Sequence, residues 1–282
     1  MPAISTNVTA NTANYYLNQN TAAESQALEE ISSGSKITSA ASDASGLAIS
    51  TNMNSDAAVL QQASTNVTNG ESVLNTADGA LSNISDVLTR MKSLAAEAQS
   101  GSSDSASLAD IQTEFAALAT EVANISTQTT FNGQSLLSTD NSDGTTSSFT
   151  SSTGASFLVG TSASDTITVQ LTDLSSMASA LASLDVSTAS GASAAMTALT
   201  TDIQSVSTER ASVGAQLEQL QYTGDTISTS ITNLQSASSA ITDVDLSAEQ
   251  TTYTNESTLT SAAVSALSEA NQMQSELLKV LQ

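Results

Sequence analysis

The stretch LQQASTNVTNGESVLNTADGALSNISDVLTRMKSLAAEA, residues 60–98, decides the fold. Apolar or small residues recur in it at alternating steps of three and four, the a/d pattern of a coiled-coil seam. The seam positions are Leu60, Ala63, Val67, Gly70, Leu74, Ala77, Leu81, Ile84, Leu88, Met91, Ala95 and Ala98. A seam of this length predicts one helix about 58 Å long, at 1.5 Å per residue. We therefore expect a rod.

The same spacing continues in both directions from this stretch. After the polar break GSSDS at residues 101–105, it resumes at Leu108, Ile111, Phe115, Leu118, Val122 and Ile125. It returns in the second half at Leu199, Ile203, Val206, Arg210, Val213, Leu217, Leu220, Gly224, Ile227, Ile231, Leu234, Ser238 and Ile241. A last amphipathic segment is predicted through Leu259, Ala263, Ala266, Ala270, Met273, Leu277 and Val280. The chain should run out along helices and come back, with its two ends side by side.

Between the two halves the composition changes to Ser, Thr, Gly and Asp, over residues 129–176. The dipeptide Asn132-Gly133 predicts a tight turn. Residues 157–171 alternate apolar and polar, with Ile167, Val169 and Leu171 on one face, and this alternation predicts a strand that is one arm of a hairpin. Residues 178–198 are rich in alanine and serine and predict a short helix or loop.

Composition excludes several classes of function. The 282 residues carry a formal charge of −23, from 28 acidic and 5 basic residues, so we expect neither nucleic acid nor an anionic membrane as a partner. The chain has no cysteine and no histidine, which removes disulfides, thiolate sites and the commonest general base. Its acidic pairs, such as Asp243 with Asp245, are too sparse for a calcium loop. We predict no metal, no cofactor and no enzymatic activity.

Two further features concern charge and export. Arg210 occupies a seam position, where it either forms an ion pair across a helix or subunit contact or extends to solvent from the edge of the seam. The sequence MPAIS at the start lacks the basic and apolar regions of a cleaved signal peptide. We therefore expect any export to use a route without such a signal.

Residues 31–50, ISSGSKITSAASDASGLAIS, resemble the segment L-S-S-G-L-R-I-N-S-A-x-D-D-A-A-G-L-A-I-S that is typical of bacterial flagellins. Four other segments resemble parts of the same family. They are FNGQSLL at residues 131–137, FLVGTSASDTITVQL at 157–171, ERASVGAQLEQL at 209–220 and SALSEANQMQSELLKVLQ at 265–282. The resemblance therefore extends over essentially the whole chain.

The resemblance implies a mainly α fold: long antiparallel coiled-coil helices, a small β-hairpin region in the middle, and both termini helical and paired in an inner core. Residues 1–45 and 242–282 would form this inner core. Residues 46–241 would form an outer-core helical rod, with the hairpin region at about 130–175. Residues 31–50 would be a spoke and turn between the two layers, and we expect them not to form a plain helix.

The function implied is that of a structural subunit that self-assembles into the flagellar filament for swimming, outside the cell. The implied partners are further copies of the chain, an export chaperone, the export apparatus, and the hook-associated junction and cap proteins. The predicted subunit-interface residues are Ile31, Gly34, Ile37, Asp43, Leu47, Ile49, Arg90, Leu94, Arg210, Leu267, Ala270, Asn271, Leu277 and Leu281.

Three alternatives differ from this interpretation. A hook–filament junction protein shares the coiled-coil ends but forms a short ring. A flagellin variant with a metalloprotease insert would need the motif H-E-x-x-H, and the chain has no histidine. A coiled-coil adhesin would need a signal peptide or a membrane anchor.

Overall fold

A computed structural model describes residues 6–100, 104–140 and 146–280, except for the side chains of residues 277, 278 and 280. The helices defined there are α1 (Val8–Ser33), α2 (Ala44–Gln99), α3 (Ser105–Gln128), α4 (Ser175–Ala182), α5 (Ala189–Thr242) and α6 (Leu246–Val280). The strands are β1 (Thr130–Phe131), β2 (Gln134–Ser135), β3 (Ala155–Leu158) and β4 (Thr166–Val169). The predicted mainly α fold with a small β region is confirmed. None of the described helices is long and apolar enough to cross a membrane.

The chain divides into two compact units. One comprises Met1–Ser55 with Asn233–Gln282, and the other comprises Asp56–Thr232. Helices α2 and α5 contribute residues to both units.

The seam of α2 forms the core of the Asp56–Thr232 unit. All twelve predicted seam positions are buried, so the prediction from the spacing is confirmed. Helix α5 packs against α2 in the opposite direction, because Gly70 meets Leu220 and Val67 meets Gly224. A β-carbon on Gly70 would lie 3.0 Å from Leu220 Cδ1, so the absence of a side chain lets the two helices approach closely here.

Helix α3 is joined to α2 by the ion pair between Glu114 and Arg90, and α4 packs on α3. The ring of Phe115 on α3 is 1% exposed, which makes it one of the largest buried side chains in the unit. The loop after α4 is fixed to α3, because Val186 N donates a hydrogen bond of 2.7 Å to Gln112 Oε1. Helix α5 begins at Ala189, inside the alanine- and serine-rich segment for which the sequence left a helix or a loop open.

Two antiparallel hairpins form the β region. Strands β1 and β2 are joined by Asn132 and Gly133, whose φ angles of 50° and 79° suit a two-residue hairpin turn. Strands β3 and β4 pair with Phe157 opposite Ile167. The predicted alternation is confirmed, since Ile167, Val169 and Leu171 are buried.

The prediction that residues 157–171 form a single arm is wrong, because the stretch holds parts of both arms. The turn between them depends on Asp165, whose carboxylate accepts a 3.0 Å hydrogen bond from Ser162 N. An aspartate that closes a turn through its own side chain is a local signal, and the alternating pattern does not reveal it.

Residues 31–50 contain a shorter irregular segment than predicted. Helix α1 extends to Ser33 and ends at Gly34, which has a φ of 71° and donates a hydrogen bond to Glu30 O. Helix α2 begins at Ala44, where Asp43 Oδ1 accepts a 2.9 Å hydrogen bond from Gly46 N. Only residues 34–43 lie between the helices, because these two caps fix the helix ends locally.

The break between α1 and α2 is bonded to the break between α5 and α6. Lys36 N donates to Thr242 O at 2.7 Å, and Val244 N donates to Gly34 O at 3.2 Å, around an antiparallel bridge between Ser35 and Asp243. The two breaks therefore lie side by side within their unit.

Helices α1 and α6 pack as an antiparallel pair. Asn7 Nδ2 donates a 3.0 Å hydrogen bond to Ala270 O at one end, and the Ser35–Asp243 bridge closes the other. The side chains of α1 that are shielded from solvent include Ala10, Ala13, Leu17, Asn20, Glu24, Ala27, Glu30 and Ile31. Those of α6 include Tyr253, Glu256, Thr260, Ala263, Leu267, Ala270 and Gln274. Most of these residues are only half-buried, and several are polar.

The α2 seam can be tested with two valines on the same helix. Val67 is 3% exposed and faces Gly224 of α5, where a β-carbon would lie 3.4 Å from Val67 Cγ1, whereas Val59 is 38% exposed. We expect Val67→Ala to lower the free energy of unfolding by about 1.5–3 kcal/mol, because it loses buried methyl groups and leaves a cavity. Val59→Ala should cost less than about 0.5 kcal/mol. Urea unfolding followed by circular dichroism measures the free energy of unfolding of both variants. Equal losses in the two variants would contradict the assignment of Val67 to the buried seam.

The α1–α6 contact contains a buried hydroxyl without a partner. Thr260 Oγ1 makes no hydrogen bond among the described residues, whereas Thr258 Oγ1 donates to Thr254 O at 2.8 Å. We expect Thr260→Val to stabilise the pair by about 1 kcal/mol, because a methyl group of the same shape carries no desolvation cost. Thr258→Val is the exposed control and should not stabilise the pair. Amide hydrogen exchange along α6 reports the effect, and faster exchange in Thr260→Val would contradict it.

Candidate subunit interface

The outer faces of α1 and α6 expose large apolar side chains. On α1 these are Val8, Tyr15, Tyr16 and Leu28, and on α6 they are Leu246, Leu259, Val264 and Met273. Each of the eight is between 49% and 67% exposed. Soluble monomers rarely leave so much apolar surface on one pair of helices, so this surface indicates a contact with another molecule.

Two aromatic residues are prominent on this surface. The rings of Tyr15 and Tyr16 pack edge to face, with centroids 5.6 Å apart, and are 66% and 54% exposed. Tyrosine combines a large apolar ring with a hydroxyl that can find a partner, which is why it is enriched at protein interfaces. The pair presents an aromatic surface in the first half of α1.

The seam predicted for the last segment is partly wrong. Leu259 and Met273 lie on the exposed outer face, and α6 meets α1 through the neighbouring stripe that includes Leu267 and Ala270. Helix α6 carries apolar residues on two adjacent stripes, and spacing alone does not say which stripe faces the partner helix. The side chains of Leu277 and Val280 lie outside the described residues.

The predicted interface residues of residues 31–50 lie at the α1–α2 break. Ile31 is half-buried against α6, and Gly34 and Asp43 are the exposed caps described above. Ile37 is half-buried and packs on Gly46, where a β-carbon would lie 2.9 Å from Ile37 Cδ1.

Two further predicted residues lie in the first turns of α2. Leu47 is half-buried, and Ile49 is 45% exposed. Ile49 is therefore the largest apolar group that this end of the helix offers to a partner.

The predicted basic residues are paired within the chain. Arg210 Nε lies 2.9 Å from Asp78 Oδ1, so the ion pair joins α5 to α2. The hydrogen bond and charge of Asp78 raise the pKa of the Arg210 guanidinium above its usual value. Arg90 Nη2 lies 2.6 Å from Glu114 Oε1 and joins α2 to α3. Both pairs are substantially exposed, so each contributes about 0.2–1 kcal/mol.

The remaining predicted residues differ in exposure. Leu94 is 2% exposed and packs inside the helical core, so it reaches no partner surface directly. Leu267 is half-buried, and Ala270 is 5% exposed against α1. Asn271 is exposed, and Leu281 lies outside the described residues.

None of the eight exposed side chains on the outer faces of α1 and α6 is among the predicted subunit-interface residues. Their signal is an apolar side chain that lies off the seam of an otherwise amphipathic helix. Within the described residues, no group of three or more acidic side chains is placed to hold a metal ion.

Comparisons with known proteins agree on one family. Residues 4–142 match the family model described as the bacterial flagellin N-terminal helical region, and residues 196–281 match the bacterial flagellin C-terminal helical region. The flagellin of Halalkalibacterium halodurans is 33% identical over 258 residues, which cover 91% of each chain. The flagellin of Bacillus subtilis is 33% identical over 293 residues, which cover 94% of this chain and 95% of the relative.

A solved structure shares the fold. The crystal structure of Bacillus cereus flagellin matches 62% of this chain and 94% of its own, with 28% identity and a TM-score of 0.51. These matches give no support to the hook–filament junction alternative. The two helical regions, the antiparallel seam between them and the relatives matched over most of their length all lead to one conclusion: the chain belongs to the bacterial flagellin family and is a structural subunit of the flagellar filament.

Proposed function

We propose that this flagellin forms a helical homopolymer in which the outer faces of α1 and α6 make the main subunit contacts. The observation that carries the proposal is the set of eight large, exposed apolar side chains on these two helices. Covering such side chains contributes about 25 cal/mol per Å² of apolar surface removed from water. A polymer of identical copies covers them in every subunit.

The two parts of the chain would form two layers of this polymer. Residues 1–45 and 242–282 would make the inner core, and residues 46–241 would make the outer core with its hairpin region. The division of the chain into two compact units supports this proposal. The interface residues predicted at the α1–α2 break and on α6 belong to the inner layer in this scheme.

The terminal helices would become fully ordered only on assembly. Their mutual contact is half-buried and includes polar side chains such as Asn20, Glu24 and Glu256. Such a contact stabilises the helix pair only weakly. Ordering about 60 residues, by contrast, costs about 1–2 kcal/mol per residue in backbone conformational entropy. The neighbouring subunits would supply the missing burial.

Export and assembly would need the family's other components. We propose that an export chaperone and the flagellar export apparatus deliver the chain. We also propose that junction and cap proteins lie at the two ends of the polymer. The chain has no cysteine, which suits passage in an unfolded state without cross-linking. It would act by packing alone, without catalysis, and without binding nucleic acid or membrane.

The proposed contact can be tested with Leu259→Asp. Leu259 is 49% exposed, so the substitution should leave the unfolding midpoint of the monomer unchanged. It should raise the critical concentration for polymerisation about tenfold or more, because a charge would be buried at each subunit contact. Thr254→Asp adds the same charge at an exposed position of α6 that lies more than one helical turn from each of the eight side chains, and it serves as the control. Sedimentation assays measure both, and normal polymerisation of Leu259→Asp would refute the assigned surface.

The charge of the chain predicts a salt dependence. At −23 per copy, subunits packed side by side repel one another, and screening shortens from about 10 Å at 0.1 M to about 3 Å at 1 M salt. We expect seeded polymerisation to be faster in high salt, and the filaments to resist dissociation better. Turbidity and negative-stain electron microscopy test this, and equal growth at 10 mM and 1 M salt would contradict it.

A further inference from the structure

The chain contains two Asn-Gly dipeptides, and the structure places them in opposite backbone settings. Asn132-Gly133 forms the turn between β1 and β2, whereas Asn69-Gly70 lies inside α2. Both asparagines are exposed, and both line the same open recess of about 590 Å³. The two sites therefore share a dipeptide sequence and a solvent environment, and they differ in the backbone that carries them.

An asparagine followed by glycine can lose its side-chain amide without an enzyme. The backbone nitrogen of the glycine attacks the asparagine Cγ, and the amide proton of the glycine passes to solvent. The Cγ–Nδ2 bond breaks, the side-chain nitrogen leaves as ammonia, and a five-membered succinimide ring remains. Water then opens one of the two ring carbonyls, which gives aspartate or isoaspartate. Glycine permits this attack because it has no β-carbon to hinder the approach.

The turn leaves the attacking nitrogen free. Among the described residues, no acceptor takes a hydrogen bond from Gly133 N, and the Asn132 side chain makes no hydrogen bond either. A β-carbon on Gly133 would meet no atom within 4 Å, so nothing packs against the turn. Asn132 also has a φ of 50°, which lies in the left-handed region that few residues with a side chain adopt.

Ring closure requires rotation about the Cα–C bond of Asn132, and local opening of the short hairpin supplies that rotation. Strands β1 and β2 have two residues each, and Phe131 pairs with Gln134 next to the turn. A two-stranded hairpin is marginally stable by itself, so separating this pair costs little free energy. Leu136 and Leu137, which follow β2, are fully buried and can stay in place.

The same dipeptide in α2 is held closed. As an internal residue of the helix, Gly70 donates its amide to the carbonyl of Asn66. Gly70 is buried, and a β-carbon there would lie 3.0 Å from Leu220 Cδ1. Freeing this nitrogen would break α2 where it packs on α5. The cost of opening therefore approaches that of unfolding the whole unit.

We propose that Asn132 is a site of spontaneous deamidation through a succinimide formed with Gly133 N, and that the fold protects Asn69. The product adds one negative charge to the −23 of the chain, at a recess whose described lining has no charged side chain. Isoaspartate also lengthens the backbone of the turn by one methylene group. Because the lost ammonia does not return, the modified fraction records how long a copy of the chain has existed. The inference does not depend on the proposed homopolymer.

Peptide mapping by mass spectrometry compares the two sites within one chain. Wild-type protein is kept at mildly alkaline pH, and each Asn-Gly peptide is followed by the mass gain that accompanies replacement of an amide by a carboxylate. We expect Asn132 to react about tenfold faster than Asn69, or more, because its opening costs less. In concentrated urea the two rates should agree within about twofold, because the backbones no longer differ. Equal rates in the folded protein would overturn the proposal.

The products test the ring route. Labelling with an isoaspartate-specific methyltransferase should mark the Asn132 peptide, and the rate of its appearance should rise with pH, because the attacking nitrogen must lose its proton. Asn132→Gly is the control, because Gly-Gly also suits a two-residue hairpin turn. This variant should lose the label of the folded protein. Undiminished labelling of the variant, or conversion of Asn132 to aspartate without isoaspartate, would contradict the assignment.

Val67→Ala separates local from global opening. Val67 faces Gly224 of α5 and lies three residues before Gly70, so a weaker seam should accelerate the reaction at Asn69. The rate at Asn132 should change less than about twofold, because the hairpin opens without the helices. Equal acceleration at both sites would also overturn the proposal, since Asn132 would then react only from the unfolded unit.

Discussion

The close antiparallel contact of α2 with α5 is the constraint on which the Asp56–Thr232 unit depends. Small residues on both helices keep their axes near each other, most clearly where Gly70 meets Leu220 and Val67 meets Gly224. The larger seam residues then fill the remaining space, α3 and the β3–β4 hairpin bond to α2, and α4 packs on α3. A chain with only 3% aromatic residues can hold such a fold because helix packing needs well-fitted small side chains more than bulky ones.

Periodic features of the fold could be predicted from the sequence, because the same alternation of buried and exposed positions recurs many times along each of them. The α2 seam and the buried face of β4 are examples, and both are confirmed. The stripe by which α6 meets α1 could not be predicted in the same way. Both stripes of α6 are weakly apolar, so the choice between Leu259 and Leu267 depends on α1, which the pattern of α6 does not contain.

Features that depend on single residues also could not be predicted from the spacing of apolar residues. The caps at Gly34 and Asp43 shorten the irregular segment between α1 and α2 through one backbone angle and one side-chain hydrogen bond. The partner of Arg210 is Asp78, which lies 132 residues away, and no local spacing identifies it. The subunit-interface residues stay predictions, because the surfaces that would cover them belong to other copies.

The hairpin region contains one more antiparallel bridge, between Asp140 and Thr146. It holds the chain on either side of residues 141–145 at a fixed separation. Extra residues placed between these two anchors would leave the bridge itself unchanged, and a longer connection costs only about 0.6 kcal/mol for each doubling of its length. The subunit thus offers a grafting point, through which an epitope or an enzyme could be displayed once per copy without altering the helices that carry it.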